Sequence, residues 1–243
     1  MSKTYVVGDL HGCFNEALDL LAKCGVTSSD RVIFIGDIVD RGPDVAKCVD
    51  LAMKHECVLG NHEDRHLSYV RDKQVPQSGS HFETHKQLRP EHYEYFKSLP
   101  LKIALPEHNL VVVHAGLLPW RPLAAQDPYH LLHAQMVRPY DDEMKPSTKT
   151  KWPSKVKDET GWTFWANLWY GPERVVFGHT TLSKPLLTDN LAGVDGGCCH
   201  GRELWALDVD AWKITSVKAR KQHDVGRGTQ PKTYLIYDDI HTW

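Results

Sequence analysis

No apolar run in the 243-residue sequence approaches the roughly 20 residues that a membrane-spanning helix needs. The start, MSKTYVVGDLHG, also lacks the basic, apolar and small-residue regions of a signal peptide. Neither sign of charge is in excess: 29 Lys and Arg face 31 Asp and Glu, so no global field favours a nucleic-acid backbone or an anionic membrane. Any attraction for phosphate has to be local. Six cysteines are present without a CxxC pair (Cys13, Cys24, Cys48, Cys57, Cys198 and Cys199), and a chain with 41% hydrophobic side chains does not need a disulfide scaffold. They read as reduced thiols; Cys198 and Cys199, adjacent in a strand, would point to opposite faces as unrelated groups. Internal repeats and low-complexity tracts are missing too. The expectation is a cytoplasmic protein, with no membrane and no obligate nucleic-acid partner, large enough to bury a full core in one domain.

What is present is an alternation of strand and helix signals. Thr4 to Val7 is a β-branched and aromatic run ending in Gly-Asp, and Phe14 to Cys24 has helical spacing up to Gly25. RVIFIGD (Arg31 to Asp37) reads as a second strand, Pro43 opens a helix to about His55, and CVLGNHE (Cys57 to Glu63) reads as a third strand. Such a βαβαβ series forms a parallel sheet with ligands at the carboxyl ends of its strands. Helical spacing resumes from about Glu63 and from His85 to Ser98, and LKIALP with NLVVVHAG predicts an antiparallel pair turning at Glu107-His108. Residues 119–161 are rich in Pro, Lys and Asp with little periodicity, which predicts an insertion or lid over the site. RVVFGHT, LAGVDGG, ELWALDVD and WKITSVKA then predict a mainly antiparallel β half. Residues 1–218 form the expected domain, and 219–243, with its strand-like TYLIYDD, a C-terminal extension packing on it.

Five segments share one grammar, an apolar strand followed by Gly, Asp, Asn or His: VVGDLHG, FIGDIVDRG, VLGNHED, VVVHAG and VVFGHT. Oxygen and imidazole donors at strand ends suit borderline-hard divalent metals, and glycine lets the backbone turn beside a crowded site. Without a cation, Asp9, Asp37 and Asp40 would meet as like charges in one crevice. Other groups read as structural. Trp162, Trp165 and Trp169, at i, i+3 and i+7, predict a core stripe in preference to a base-stacking platform. His81, His85 and His92 read as solvated histidines of a polar helical region, and the lysines from Lys145 to Lys157 as an exposed loop.

In order along the chain, GDLHG, GDIVDRG, GNHE, HAG and GH resemble the signature segments of the phosphoprotein-phosphatase-type, calcineurin-like metallophosphoesterases. The resemblance implies an α/β/β/α sandwich of two mixed sheets flanked by helices. It implies two divalent metal ions, manganese with iron or zinc as alternatives: Asp9 and His11 on the first, Asp37 between both, and Asn61, His114 and His179 on the second. Two such ions lower the pKa of a shared water and clamp the oxygens of an in-line displacement at phosphorus. His62 would protonate the leaving group with Asp40 orienting it, and Arg41 would hold phosphoryl oxygens, with Asn61 and Arg138 as further phosphate-binding residues. LLHAQMVRPYD, WTFWANLWYGPERVVFGHT and VDGGCCHGRELWAL are most similar to the diadenosine-tetraphosphatase-like (ApaH-like) branch, although that branch tends to carry Arg where Gln135 stands and an aromatic where His200 stands. Hydrolysis of a nucleotide polyphosphate is therefore the leading expectation. A phosphoserine/phosphothreonine protein phosphatase acting on a phosphoprotein is the alternative, a non-enzymatic binding protein on the same fold a third. Inorganic polyphosphate and capped RNA ends are open as substrates.

Overall fold

A computed structural model describes residues 2–141, 144, 145, 147–151, 155 and 160–224. The run Thr4–Val7 forms strand β1, buried at every residue, as expected of β-branched and aromatic side chains in a strand covered on both faces. It lies parallel to β2 (Arg31–Phe34), and β2 is parallel to β3 (Glu56–Cys57). Helices α1 (Phe14–Cys24) and α2 (Val45–Ala52) make the connections. Gly25 stops α1 in the left-handed conformation at φ 69°, its N–H bonded to carbonyls of the last turn.

Three further helices follow: α3 (Asn61–Arg71), α4 (Gly79–Gln87) and α5 (Pro90–Ser98). The third strand is thus shorter than the expected Cys57 to Glu63. Val58 still donates to Phe34 O, but the Glu63 carboxylate then caps the Gly60 N–H at 3.1 Å and starts a helix at Asn61. The apolar run conceals this exit from the sheet.

The second sheet begins with the expected antiparallel pair, β4 (Lys102–Leu105) and β5 (Leu110–Val113). After helix α6 (Pro128–His133) come β6 (Met136–Val137), β7 (Thr150–Lys151) and β8 (Thr163–Phe164), which form a small separate sheet. Strands β9 (Arg174–Phe177), β10 (Leu186–Leu187) and β11 (Leu191–Gly193) return to the second sheet, in order β10-β11-β9-β5-β4. Strands β12 (Glu203–Asp208) and β13 (Lys213–Lys218) form a hairpin that adds antiparallel to β1, giving the first sheet the order β13-β12-β1-β2-β3. The expected antiparallel β half is therefore split between the sheets, and β9 runs parallel to both β5 and β11. Arg-Val-Val-Phe, apolar on both faces, occupies a central position that an edge strand would not need.

Strand alternation decides the layering. Val6, Ile33, Val112, Val176 and Leu207 meet between the sheets, whereas Val7 and Phe34 face outward onto Ala17 and Leu20 of α1 and Val49 of α2. Val111, Val113, Val175 and Phe177 face the other way, onto Leu117, Leu131, Trp165 and Trp169. The described part of 119–161 thus contributes to the layer outside the second sheet. Trp165 and Trp169 are core residues, but on a short 3-10 turn; Trp162 is half-buried with Lys151 over its ring. Cys198 and Cys199 sit in a turn after β11, not in a strand. TYLIYDD and, within Lys145 to Lys157, residues 146, 152–154, 156 and 157 lie outside the described residues.

Candidate metal centre

The ends of β1, β2, β3, β5 and β9 converge, because parallel neighbours present their carboxyl ends at one edge. The loops after β1 and β2 are laced together by His11 N–H to Asp37 O at 2.8 Å and Gly12 N–H to Ile38 O at 2.9 Å. The backbone is strained here: His11, Asp37, Asp40, Arg41 and His179 all have φ between 43° and 69°. Glu63 holds the second loop in this shape. Its buried carboxylate accepts the N–H groups of Asp37 (2.9 Å), Ile38 (2.8 Å) and Val39 (3.1 Å), besides that of Gly60.

Two donor clusters share Asp37. In one, His11, Asp37 and His62 bring ligand atoms within 4.8 Å of one another; in the other, Asp37, His114 and His179 do so. Backbone carbonyls fix two imidazoles. His11 Nδ1 donates to Val39 O at 2.7 Å and His114 Nδ1 to Ile35 O at 2.9 Å, which turns both Nε2 lone pairs inward. His114 Nε2 then faces Asn61 Oδ1 at 2.9 Å and Asp37 Oδ1 at 3.3 Å. Three electron-pair donors so placed repel one another unless a cation lies against them, so these residues fit a divalent metal. Asp9 belongs to neither cluster. Its carboxylate accepts the His179 N–H at 3.1 and 3.2 Å, and a Cβ on Gly178 would collide with Asp9 Oδ1.

Electrostatics agree with a site made for positive charge. Burial, with the negative charges of Asp195 and Asp37, pushes the Asp9 carboxyl well above the usual carboxylate range. Burial also opposes ionisation of Asp37, but the imidazoles facing it, His114 and then His62, outweigh it and hold its carboxyl far below that range. His11 and His179 are driven well below ordinary imidazole values by burial, His11 further by Arg41 and His179 by His114, so both are neutral donors.

Asp40, fully buried, receives His62 Nδ1 at 2.6 Å and His66 Nε2 at 2.8 Å, and His81 Nε2 lies 3.4 Å away. Burial works against its ionisation, yet the hydrogen bonds from His62 and His66 keep its carboxyl far below the usual range. His62 Nε2 is left facing the clusters, 3.8 Å from Asp37 Oδ2. Arg41 Nη1 donates to His11 Nε2 at 2.8 Å, Nη2 lies 3.3 Å from His62 Nε2, and Asp224 braces Nε at 3.6 Å. Arg138 follows β6 with its side chain against Gly161.

The expectation that His81, His85 and His92 are solvated is corrected. His92 is fully buried, His85 pairs with Tyr93 at 3.1 Å, and His81 packs edge-on against His62 and His66. Gln135 is buried with its amide toward His179 O at 3.4 Å, and His200 Nδ1 lies 3.6 Å from Asp224. Sequence reasoning missed the shared-partner role of His66, although its i+4 spacing from His62 puts both on one face of α3. It also missed Asp195, buried beside Asp9, where VDGG repeats the strand-Asp-Gly grammar.

A shared carboxylate between two nitrogen-rich clusters at strand ends, on two stacked mixed sheets, defines a metallophosphoesterase. Residues 2–183 match the family model of the calcineurin-like phosphoesterases, and the chain belongs to that family, as a hydrolase acting with divalent metal ions. It is 31% identical to the symmetrical bis(5'-nucleosyl)-tetraphosphatase of Haemophilus ducreyi, over 87% of this chain and 97% of that one. With the asymmetrical bis(5'-nucleosyl)-tetraphosphatase PrpE of Oceanobacillus iheyensis it shares 24% identity, over 90% and 93% of the two chains. A crystal structure provisionally described as a diadenosine tetraphosphatase superposes with a TM-score of 0.77 at 29% identity, covering 90% of this chain and 94% of that one. A protein serine/threonine phosphatase from Saccharomyces cerevisiae shares the fold, at a TM-score of 0.54 and 18% identity over 90% and 80%.

Proposed function

We propose that the protein hydrolyses phosphoanhydride bonds of nucleotide polyphosphates of the dinucleoside tetraphosphate type, with two divalent metal ions, manganese preferred. The observation that carries the two-metal reading is Asp37, common to both donor clusters. Asp9, His11 and Asp37 would hold one ion; Asp37, Asn61, His114 and His179 would hold the other. When bound, the pair acidifies water and neutralises charge on the phosphoryl oxygens. His62, oriented by Asp40, delivers a proton to the leaving oxygen from Nε2. Arg41 turns a planar fork toward the transferred phosphoryl group, and Arg138 is assigned a second contact with the phosphate chain. The nucleotide reading rests on the tetraphosphatase relatives, matched over nearly their whole length. We take residues 1–218 as one catalytic domain with 119–161 inserted in it. The free thiols suit a reducing cytoplasm, and no described helix is long and apolar enough to cross a membrane.

The test is a manganese-supplemented panel of diadenosine tetraphosphate, a phosphoserine peptide, inorganic polyphosphate and an aryl phosphate, with chromatography of the products. A kcat/KM for the dinucleotide well above the others is expected. Release of two adenosine diphosphates marks symmetric cleavage, adenosine triphosphate with adenosine monophosphate asymmetric cleavage. Preference for the peptide would make the enzyme a protein phosphatase.

A further inference from the structure

Helix α6 carries two aromatic rings beside the candidate centre. The His133 ring meets the His179 ring edge-on, centroids 6.4 Å apart, and also meets Tyr129 at 4.7 Å with the planes tilted by 42°. Tyr129 is 57% exposed, whereas His133, which touches both other rings, is half-buried. The rings make a chain of contacts, His179 to His133 to Tyr129.

The helix is fixed to the metal loops. Its Leu131 carbonyl accepts the Ala115 N–H at 2.8 Å, directly after His114, and Gln135 just beyond it reaches His179 O. Leu131 and Leu132 are buried, and Asp127 caps the first turn through Tyr129 N–H at 2.8 Å. An aromatic pair held at a set distance from a phosphate-binding centre is suited to a flat, π-faced group joined to that phosphate. Trp165 and Trp169 do not offer this, because they are buried in the core.

We propose that Tyr129 and His133 form a nucleobase subsite, in which the base of a nucleoside polyphosphate stacks on Tyr129 while its phosphates occupy the centre. This rests on the nucleotide reading above. The subsite discriminates a nucleoside polyphosphate from a base-free polyphosphate or a phosphopeptide, and the base is held by stacking, so adenine and guanine are both accepted.

The test is binding, not turnover. The affinity of the manganese-loaded protein for α,β-methylene adenosine diphosphate is compared with that for methylenebisphosphonate, which has the same phosphonate core and no nucleoside, by isothermal titration. The wild type is expected to prefer the nucleoside ligand, Tyr129→Ala to lose about 5- to 150-fold of that preference, the range of one base–aromatic stack, and Tyr129→Phe to keep it. His133→Ala should lower it as well. Equal affinity of the wild type for both ligands, or an unchanged preference in Tyr129→Ala, overturns the subsite. The two readings fail separately: a substrate panel favouring the phosphopeptide rejects the proposed reaction, while the binding comparison reports on the ring pair alone. Tyr129 is exposed, so loss of folding does not confound its variants.

Discussion

At the scale of single residues, the site depends on which atoms are left to face the cleft once the others are engaged. His62 is the clearest case: Asp40 takes Nδ1, and only Nε2 remains for chemistry. His62→Asn should lower kcat for a poor leaving group by about 10²- to 10⁴-fold with metal content unchanged, measured by steady-state kinetics and elemental analysis. Near-normal turnover would falsify the assignment of His62 as proton donor. Asp37→Asn is expected to lose metal from both clusters, and full retention of two ions per chain would refute the shared-ligand role. Glu63→Gln puts an amide NH2 opposite backbone donors that now have a carboxylate, and should cost about 1–3 kcal/mol in urea unfolding. Much of this site was legible in the sequence, because Gly followed by Asp, Asn or His after an apolar strand requires both a tight turn and a polar ligand. His66 and His81 were not, since their meaning depends on a carboxylate distant in the chain.

At the scale of elements, glycines at strand ends and helix ends do different work. Beyond β9, Gly178 leaves room for Asp9, and a Cβ there would also approach Ile35 Cγ2 at 2.8 Å. Gly25 at the end of α1 has nothing within 4 Å of such an atom, and only its φ of 69° resists substitution. Gly25→Ala should therefore cost about 1 kcal/mol and keep activity, whereas Gly178→Ala should displace Asp9 and His179 and lose metal affinity. Equal effects of the two on metal content would remove the distinction. The parallel β1-β2-β3 run was readable because each strand is a short β-branched or apolar segment next to a helical period. The destinations of β9 to β13 were not, since periodicity reveals a strand and its faces but not the sheet it joins. The start of α3 was hidden for a similar reason: Val58 and Leu59 continue the apolar pattern of β3 after the pairing has ended.

For the molecule as a whole, neutral histidines make stability sensitive to acid. Burial lowers the imidazoles of His11, His81, His133, His179 and His200 below the ordinary value of 6.5. A depressed imidazole binds fewer protons in the folded than in the unfolded chain, so its contribution is complete above pH 6.5 and declines as the pH falls below that value. The buried carboxyls of Asp9 and Glu63, which burial raises, act in the opposite sense over the same range, so the histidine contribution is isolated by substitution: His81→Gln in the metal-free protein should lessen the loss of urea midpoint between pH 7.5 and pH 5, and an unchanged pH profile would contradict the neutral assignment. Asp40 acts in a lower window. Its depressed carboxyl contributes fully above the ordinary value of 3.8, and that contribution is lost progressively as the pH falls below it. Manganese at 100 times its dissociation constant should raise stability by about 2.7 kcal/mol per independent site, and chelation should reverse this in a thermal melt.

The bond from Arg41 to His11 has a consequence for binding. The lone pair on His11 Nε2 can serve the guanidinium or a cation, but not both at once. A cation on that lone pair would leave the Arg41 N–H for another acceptor, so metal and phosphate are expected to bind with positive coupling, each tightening the hold on the other by the same factor; equal affinity for phosphate with and without manganese would show the two to be independent.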